Sequence, residues 1–364
     1  MKRKKILFAI NCLNIGGAPA VLLSHLKLVD TKKYEPWVMT LYRGKQANYI
    51  HEVREMVGDR LIEFNLKNRS PFDIVTLCKI YFFLLRHRFS IVMTHLFLTN
   101  TLVRILSFFA GLKSVISFEH SLYFDKKSSH ITLDRFLSFF TKTIVVAHPY
   151  IAEFTAKQER IPYKKFTVIP HPIELPKKDV SRVDAWDIPE DKKVLVCIGR
   201  FSDEKGQMVL LEALKKVDRS NYVVLLIGHG SKESKLQSFI EKERLEDVAR
   251  IVHDPVHAKQ AYYIADGLII PSYREGFSLV AAEGVTAGLP IIFSNIPTLS
   301  YIEDAGAGIS FPAGDSLALA SILEKFLDNP SLQNELMENN TKIQNSFAQN
   351  TIAKEFGELL DTYA

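Results

Sequence analysis

Two glutamates flank a short turn in the stretch Arg274-Glu-Gly-Phe-Ser-Leu-Val-Ala-Ala-Glu283. Glu275 precedes the turn, and Glu283 lies about two turns into the helical window that follows. The N–H groups of Gly276, Phe277, Ser278 and Leu279 would be exposed at the helix N-terminus, where the helix dipole favours an anion such as a diphosphate. The two carboxylates could then accept hydrogen bonds from ligand hydroxyls on either side. Ordinary helix capping beside an exposed glutamate is the alternative interpretation.

A second candidate lies upstream, in Ile198-Gly-Arg-Phe-Ser-Asp-Glu-Lys-Gly206, between a predicted strand and a predicted helix. Arg200 and Lys205 bracket its loop, and Gly206 permits close backbone approach. Two cations at such a loop are suited to a departing nucleoside diphosphate, because charge-assisted contacts to phosphate are strong. Ordinary surface charges are the competing interpretation.

In order and spacing, these two stretches resemble the motifs of glycosyltransferase family 4, the group 1 set of retaining enzymes. The resemblance implies that Glu275 contacts the transferred sugar and that Glu283 binds the ribose. It assigns Arg200 and Lys205 to the departing diphosphate. It also implies that main-chain atoms around Val256 read the base, for which uridine is expected.

The N-terminal half carries weaker parts of the same resemblance. Gly16 and Gly17 follow the first predicted strand and are expected to contact the donor, although Pro19 replaces the family's glutamate. His120 occupies the place of a family histidine near the transferred sugar and acceptor. Glu119 is its rival for that role, a buried structural histidine is the other alternative, and His95 is a weaker candidate for lining the acceptor side.

Two further segments match the family in part. Ile169-Pro-His-Pro172 resembles the family's hinge, with His171 and Pro172 replacing asparagine and glycine. Gly228-His-Gly230 occupies the place of a glycine turn after a strand, for which a structural role is expected.

Apolar strand-like runs alternate with helical windows along the whole chain. Strands are predicted at 5–10, 37–41, 91–95, 114–118, 143–146, 193–198, 222–227, 249–252, 267–270 and 290–293. Helices are predicted at 20–29, 73–87, 100–109, 208–217, 232–243, 278–287 and 350–363. Such alternation indicates parallel sheets covered by helices on both faces.

The predicted fold class is therefore α/β, and with the resemblance it is GT-B, with two Rossmann-like domains facing each other across a cleft. The predicted division is an N-terminal acceptor-side domain at 1–172, a linker at 173–191, a donor-binding domain at 192–349 and a C-terminal helix at 350–364 returning to the first domain.

Charge divides sharply between the two halves. Residues 1–172 hold 26 Lys+Arg against 12 Asp+Glu, and the rest of the chain holds 20 against 29, giving net charges of +14 and −9. The basic half, with the aromatic and cationic segment 79–89, suits peripheral contact with anionic lipid headgroups. A solvated basic surface and a helix face buried in the core are the alternatives.

Polar residues interrupt the most apolar stretch, 91–112, so no membrane span is predicted. The three cysteines, Cys12, Cys78 and Cys197, are interpreted as reduced core thiols, which favours a cytoplasmic protein. Peripheral attachment at the inner face of the cytoplasmic membrane is the variant of this prediction left open. No metal and no cofactor are expected, because the sequence contains no Asp-x-Asp pair and no zinc-like spacing.

The predicted function is metal-independent, retaining transfer of a sugar from a nucleotide diphosphate sugar to a hydroxyl of a glycan or lipid-linked acceptor in envelope polysaccharide synthesis. A sugar-nucleotide epimerase on the same scaffold and a non-catalytic nucleotide-sugar-binding subunit are the alternatives. A nicotinamide dehydrogenase is disfavoured, because no Gly-x-Gly-x-x-Gly follows the first strand of either half. No nucleic-acid partner is expected.

Overall fold

The structure is a computed structural model that describes residues 3–44, 48–66, 73–186, 188, 191–218, 221–254 and 256–364. The chain forms two compact units. The first unit comprises residues 1–172 and 348–364, and the second comprises residues 173–347. The chain therefore passes from one unit to the other after Pro172 and returns after Phe347.

A seven-stranded parallel sheet forms the centre of the first unit, in the order β3-β2-β1-β4-β5-β6-β7. Its central strands are runs of β-branched and other apolar residues buried on both faces, as parallel sheets require. The register pairs Ile6 with Ile91 and Ile10 with His95. The strands are β1 Lys4–Ile10, β2 Tyr34–Thr40, β3 Leu61–Glu63, β4 Ile91–His95, β5 Val115–Glu119, β6 Thr143–Val146 and β7 Phe166–Val168.

Helices cover both faces of this sheet. The helices of the first unit are α1 Gly17–Lys27, α2 Ile50–Val57, α3 Ile74–His87, α4 Phe97–Phe109, α5 Ser128–Ser138, α6 Pro149–Glu159 and the C-terminal α13 Gln349–Tyr363. Ile352 and Phe356 of α13 are fully buried in one core cluster with residues of β1 and α1. The opposite cluster contains Ile80 of α3 and Val103 of α4.

The second unit repeats this plan with a six-stranded parallel sheet in the order β10-β9-β8-β11-β12-β13. The strands are β8 Lys193–Ile198, β9 Tyr222–Ile227, β10 Ala249–Val252, β11 Gly267–Ile270, β12 Ile291–Ser294 and β13 Gly308–Phe311. The helices are α7 Gln207–Leu214, α8 Glu233–Lys242, α9 Leu279–Thr286, α10 Ser300–Asp304, α11 Ser316–Leu327 and α12 Pro330–Gln344.

Each strand run predicted from the sequence forms a strand, with ends shifted by three residues at most. The strands that the sequence did not single out are β3, β7 and β13, which have three or four residues each and lie at sheet edges. Part of the stretch 173–191, expected to be a linker, packs into the second unit, where Ile173, Val183 and Trp186 are buried. Cys78 is exposed on α3, so the prediction of a core thiol is wrong at that position.

No helix within the described ranges combines the length and apolar character needed to cross a membrane.

Candidate functional site

The two sheets share one topological feature that locates a site. In each sheet the first strand lies in the middle, and the strand order reverses beside it: between β1 and β4 in the first unit, and between β8 and β11 in the second. Ligands of such sheets bind beyond the carboxyl ends of the strands at this switch point. The candidate residues of each unit are described within that unit.

In the second unit, Lys205 and Glu275 meet at the switch point. Lys205 follows β8 and Glu275 follows β11, and the two strands are hydrogen-bonded neighbours. The Lys205 ammonium donates to both carboxylate oxygens of Glu275, at 2.7 and 2.8 Å. The side chain of Glu275 is only 7% exposed, whereas that of Lys205 is 24% exposed. The sequence placed these residues in one site, and the structure places them in direct contact.

Further groups hold Glu275 in position. The Ser272 hydroxyl donates to Oε1 of Glu275 at 2.7 Å, and the Thr298 hydroxyl donates to its main-chain carbonyl at 3.2 Å. Burial, together with the nearby Glu275 carboxylate, raises the pKa of Tyr301. The carboxylate of Glu275 is therefore a fixed, ion-paired acceptor.

A glycine permits the close approach of the two loops. Gly206 has φ +65°, and a Cβ there would lie 2.0 Å from the Pro271 carbonyl oxygen. Any other residue would strain the backbone and push the Lys205 loop away from the Glu275 loop. Gly228 serves a related packing role on the other side, since its Cβ would lie 2.0 Å from the Gly199 carbonyl oxygen.

Glu283 lies on α9 and is fixed by two partners. The Tyr262 hydroxyl donates to Oε2 at 2.8 Å, and the Lys259 ammonium contacts Oε1 at 2.7 Å. Burial, together with the Glu283 carboxylate, raises the pKa of Tyr262 well above its usual value, so the phenol stays protonated and donates. Glu283 is itself 7% exposed.

The predicted anion-binding amides surround the start of α9. Ser278 is the N-cap residue, and its hydroxyl accepts from the Ala281 N–H. Gly276, Phe277 and Ser278 precede the helix, and Leu279 is its first residue, so the amides lie where an α-helix leaves its N–H groups without intrahelical partners. The segment is thus placed to bind an anion beside Glu275.

Arg200 and Val256 do not take part in the contacts described for Lys205, Glu275 and Glu283. The Arg200 side chain is 68% exposed and lies 3.5 Å from Glu204, while its carbonyl accepts from Gln207. Val256 is exposed beyond the end of β10, which lies two strands away from β8. Their assigned roles remain predictions.

In the first unit, the switch point is occupied by histidines. His95 ends β4, and Nδ1 of its ring lies 3.0 Å from Nε2 of His120, which follows the neighbouring strand β5. Burial lowers the pKa of His120 to about 4. Burial, and then the nearby His120 ring, lower the pKa of His95 well below its usual value. The two rings are therefore neutral, with one N–H donating to the other ring.

Two further buried imidazoles extend this pair. The His171 ring lies 5.8 Å from that of His120, and the His25 ring lies 5.8 Å from that of His171. Burial lowers the pKa of both, to about 3 for His25. His171, predicted to lie in a hinge, belongs to this cluster in the first unit. Across the described ranges, no group of His, Cys, Asp or Glu residues is arranged to hold a metal ion.

Glu119 and His120 do not compete for one place. Glu119 borders a cavity of about 10 Å³, roughly one water molecule in size, together with Arg104, Asp134 and Glu159. Burial raises the pKa of Glu119 to about 8. The His120 ring instead stacks with those of His95 and Phe118. Neighbouring residues at the end of a strand point to opposite faces, and only His120 joins the histidine cluster.

Gly16 and Gly17 are exposed after β1, on the other side of the same switch point, and α1 begins at Gly17. The residue after His95 is also unusual, because Leu96 has φ +71° and ψ 150°. Strained non-glycine residues concentrate at functional sites. The strained backbone of Leu96 makes the histidine edge a candidate site, while the role of His120 and contact of Gly16 and Gly17 with a donor stay predictions.

Sequence reasoning missed the residues that hold the glutamates. Lys259 and Tyr262 lie in a 3-10 helix, Ala258–Tyr263, which the sequence analysis did not predict. Ser272 stands three residues before Glu275, and its proximity was visible in the sequence, but its hydrogen bond was not.

Comparison with known proteins finds a family match within the second unit. The sequence profile of the family described as glycosyl transferases group 1 matches residues 182–343, which include Lys205, Glu275 and Glu283. Residues 182–343 form a glycosyl transferases group 1 domain. Its first strand is β8 and its last helix is α12, so the match falls within the second unit.

Curated relatives of the group 1 domain match only part of the chain. D-inositol 3-phosphate glycosyltransferase of Corynebacterium diphtheriae is 28% identical over 160 residues, which is 41% of this chain and 38% of that protein. Lipopolysaccharide core biosynthesis glycosyltransferase LpsD of Rhizobium meliloti is 27% identical over 188 residues, or 51% of this chain and 54% of that protein. The chain thus spans 38% and 54% of the length of these two relatives.

The whole chain, including the group 1 domain, resembles solved structures in fold. Anabaena Alr3699/HepE, solved in complex with UDP and glucose, has a TM-score of 0.85 at 17% identity, covering 99% of this chain and all of that one. The fold is that of the two-domain α/β GT-B class.

Proposed function

We propose that the protein is a glycosyltransferase that moves a sugar from a nucleotide diphosphate sugar to a hydroxyl of a glycan or lipid-linked acceptor, with retention of anomeric configuration and without a metal ion. The observation that carries this proposal is the contact between Lys205 and Glu275 at the β8–β11 switch point, beside the N-terminus of α9. Cation, carboxylate and helix amides are the groups that a sugar diphosphate requires.

In this proposal the diphosphate accepts hydrogen bonds from the α9 amides and forms an ion pair with Lys205. The exposed Arg200 side chain moves to form a second ion pair with it. Each preorganised donor of this kind contributes about 2.7–4 kcal/mol to the transition state, because negative charge develops on the leaving phosphate. A lysine, an arginine and helix amides then supply the positive charge that a metal would otherwise supply. Glu275 accepts hydroxyls of the sugar, and Glu283 accepts those of the ribose.

The arrangement of Glu275 favours an orienting role over a nucleophilic one. Both of its oxygens accept from Lys205, and one also accepts from Ser272. A double displacement of the glycosidase type needs a carboxylate that is free to attack the anomeric carbon. We therefore propose that the leaving phosphate takes the acceptor proton on the same face of the sugar, which gives retention.

The donor expected is a UDP-sugar. HepE was solved with UDP and glucose, and its fold matches along the full chain, which supports this choice. The neutral His95–His120 pair, which can both donate and accept a hydrogen bond, suits hydroxyls of the sugar or the acceptor. LpsD takes its name from lipopolysaccharide core biosynthesis, which supports an envelope glycan as acceptor.

The test is turnover of a panel of nucleotide sugars, with and without EDTA, in the presence of a lipid-linked glycan extract. Wild type is compared with Glu275→Gln and with the control Glu243→Gln, whose carboxylate pairs with Lys215 at the surface. We expect extract-dependent release of nucleoside diphosphate from one donor, insensitive to EDTA, lost in Glu275→Gln and kept in the control. The anomeric configuration of the product, read by NMR, should match that of the donor.

Other outcomes contradict the proposal in distinct ways. Release that needs no extract and yields an altered free sugar would indicate an epimerase. Tight binding of a donor without release under any acceptor would indicate a binding subunit. Binding of no nucleotide sugar would overturn the proposal as a whole.

A further inference from the structure

The C-terminal ends of α4 and α5, with the two residues that follow α5, carry a cluster of phenylalanines, called here the phenylalanine patch. Phe108, Phe109, Phe136 and Phe139 are exposed, and Phe140 is partly exposed. Phe108 and Phe140 have ring centroids 4.2 Å apart, and Phe136 and Phe140 have centroids 5.3 Å apart. Phe109 is 67% exposed and Phe139 is 73% exposed. Phe108 and Phe109 have centroids 5.4 Å apart, so four of the five rings form one chain of contacts instead of scattered apolar positions.

The core of the first unit does not account for this patch. The inner face of α4 buries Leu102, Val103 and Ser107, and that of α5 buries Leu137 and Ser138. Phe108, Phe109 and Phe136 lie on the outer faces of these helices, and Phe139 and Phe140 directly follow α5. Isolated exposed apolar side chains are ordinary, but a contiguous aromatic patch marks a surface that binds something.

The charges around the patch are positive. Arg135 is next to Phe136 in the sequence, Lys142 is two residues after Phe140 and Lys113 is four residues after Phe109; these three and Lys164 are exposed. The main-chain N–H of Lys142 bonds to Val115, and burial, with Lys142 and Lys164 nearby, lowers the pKa of Lys165, so these lysines are close neighbours. The surface is therefore complementary to an anionic partner.

Negative charge is missing from the same helices. α4 contains no acidic residue, and the single one in α5, Asp134, is buried and paired with Arg104 and Lys126. No carboxylate of either helix thus neutralises the exposed cations or repels an anionic surface.

The neighbouring helix α3 extends the surface. α3 packs beside α4. Thr76, Ile80 and Leu84 face the core. Ile74, Val75, Phe82 and Leu85 are exposed instead, as are Lys79 and Arg86. The segment 79–89, predicted to contact lipid, thus divides into a buried face and an exposed apolar and basic face.

The second unit shows that this is not a general property of the chain. Its exposed large apolar residues are Val180, Val256, Tyr273, Leu317 and Met337, and no phenylalanine or tryptophan is among them within the described residues. They are separated along the sequence and lie on different elements. The aromatic surface is confined to the first unit.

We propose that the outer face of α3, α4 and α5 docks on an anionic lipid bilayer as a peripheral membrane surface. Aromatic rings enter the interfacial region while neighbouring lysines and arginines bind acidic headgroups. A second copy of the chain fits poorly, because two such faces would bring like charges together. Only the biological use of this surface rests on the proposed function: docking would hold the enzyme at the membrane, where a lipid-linked acceptor lies.

The experiment is co-sedimentation of the full chain with vesicles of phosphatidylcholine alone, or of phosphatidylcholine and phosphatidylglycerol in equal parts, over a salt series. We expect strong binding to the anionic vesicles and about tenfold weaker binding to the neutral ones, with the difference shrinking as salt rises. The variant Phe109→Ser/Phe139→Ser should bind the anionic vesicles about tenfold more weakly. The matched control, Leu317→Ser/Met337→Ser, removes two exposed apolar residues of the second unit and should bind like wild type.

Absence of binding to anionic vesicles would overturn the inference, as would equal losses in the two double variants. Analytical ultracentrifugation distinguishes the alternative: self-association that the phenylalanine variant abolishes, without vesicle binding, would assign the patch to a second copy. Vesicle binding needs no nucleotide sugar, and binding of a nucleotide sugar needs no vesicle. Failure of this inference is therefore distinguishable from failure of the proposed function.

Discussion

The two units use one strand order and place different chemistry at the same edge. At the β1–β4 switch point of the first unit, imidazoles are buried and neutral, with His95 and His120 in contact. At the β8–β11 switch point of the second unit, Lys205 and Glu275 form an ion pair. The topology fixes where each site lies, and the loop residues decide what each site can bind.

This difference indicates that the two sites bind different groups. An ion pair beside a helix N-terminus can exchange partners with a diphosphate, because each charge has a counter-charge before the ligand binds. Neutral rings offer one donor and one acceptor each and repel no uncharged sugar. The imidazoles therefore add no charge to this edge of the first unit.

The largest expected effect is on the charged edge. Lys205→Met removes the cation from the switch point and keeps much of the side-chain volume. We expect kcat to fall about 100-fold to 1,000-fold, as for loss of one preorganised charge-stabilising donor. The measurement is release of nucleoside diphosphate from the donor that the panel identifies.

Lys215→Met is the control for this change, because Lys215 pairs with Glu212 and Glu243 at the surface, away from the switch point. It should keep kcat within about twofold, since exposed pairs contribute little. A Lys205→Met enzyme with normal kcat and normal folding would show that the charged edge does not act on the leaving group.

Two glycine substitutions should have opposite signs in the two units. Gly206→Ala places a Cβ against the Pro271 carbonyl at a left-handed φ, so we expect a loss of about 1–3 kcal/mol in the free energy of unfolding. Gly357→Ala lies in the middle of α13 with nothing within 4 Å of the new Cβ, so a gain of about 0.5–1 kcal/mol is expected. Urea denaturation measures both, and a stable Gly206→Ala protein would contradict the packing argument.

The sequence alone was sufficient for much of this comparison. The apolar runs that form β1, β4, β8, β9 and β11 are buried along most of their length, so their pattern predicts strands directly. The edge strands β3, β7 and β13 have three or four residues and bury only one of them each, so no continuous buried run marks them. The motif spacing predicted that Lys205 and Glu275 share a site.

What the sequence could not supply was contact between distant positions. The bonds from Tyr262 and Lys259 to Glu283 depend on how a 3-10 helix packs against α9. Likewise, only the fold assembles the four histidines, because they are far apart in the sequence. His25 lies in α1, His95 ends β4, His120 follows β5 and His171 lies just before the chain leaves the first unit. The exposure of the phenylalanines was hidden for the same reason, since a helical apolar pattern does not tell which face is covered.

The neutral edge should make the stability of the first unit depend on pH. The folded-state pKa values of the clustered histidines lie below the unfolded value of about 6.5, at about 3 for His25 and about 4 for His120. Between pH 6.5 and 4 the unfolded chain therefore binds protons that the folded unit does not. The free energy of unfolding should fall as pH falls, by up to about 1.4 kcal/mol per pH unit for each histidine.

His25→Leu tests this sign, because it removes one titrating ring from the cluster. The chain has two tryptophans, Trp37 in the first unit and Trp186 in the second, so in a Trp186→Phe background fluorescence reports the first unit. The pH slope should be shallower in His25→Leu and unchanged in His51→Leu, whose ring is exposed. Equal slopes in all three proteins would show that the cluster does not resist protonation.

The smallest expected effect concerns how Glu283 is held. Tyr262→Phe deletes the hydrogen bond to Oε2 but leaves Lys259 on Oε1, so the carboxylate keeps its charge and loses part of its orientation. Loss of one such bond corresponds to about 0.5–1.5 kcal/mol, so the Kd for the nucleoside diphosphate should rise about twofold to tenfold with kcat nearly unchanged. Tyr263→Phe, in which the neighbouring phenol loses its bond to the Pro176 carbonyl, is the control for calorimetric titration. If both variants bind alike, Glu283 does not depend on its Tyr262 contact to bind ribose; if only Tyr262→Phe weakens binding, the second unit holds the nucleotide through a positioned carboxylate as well as through charge.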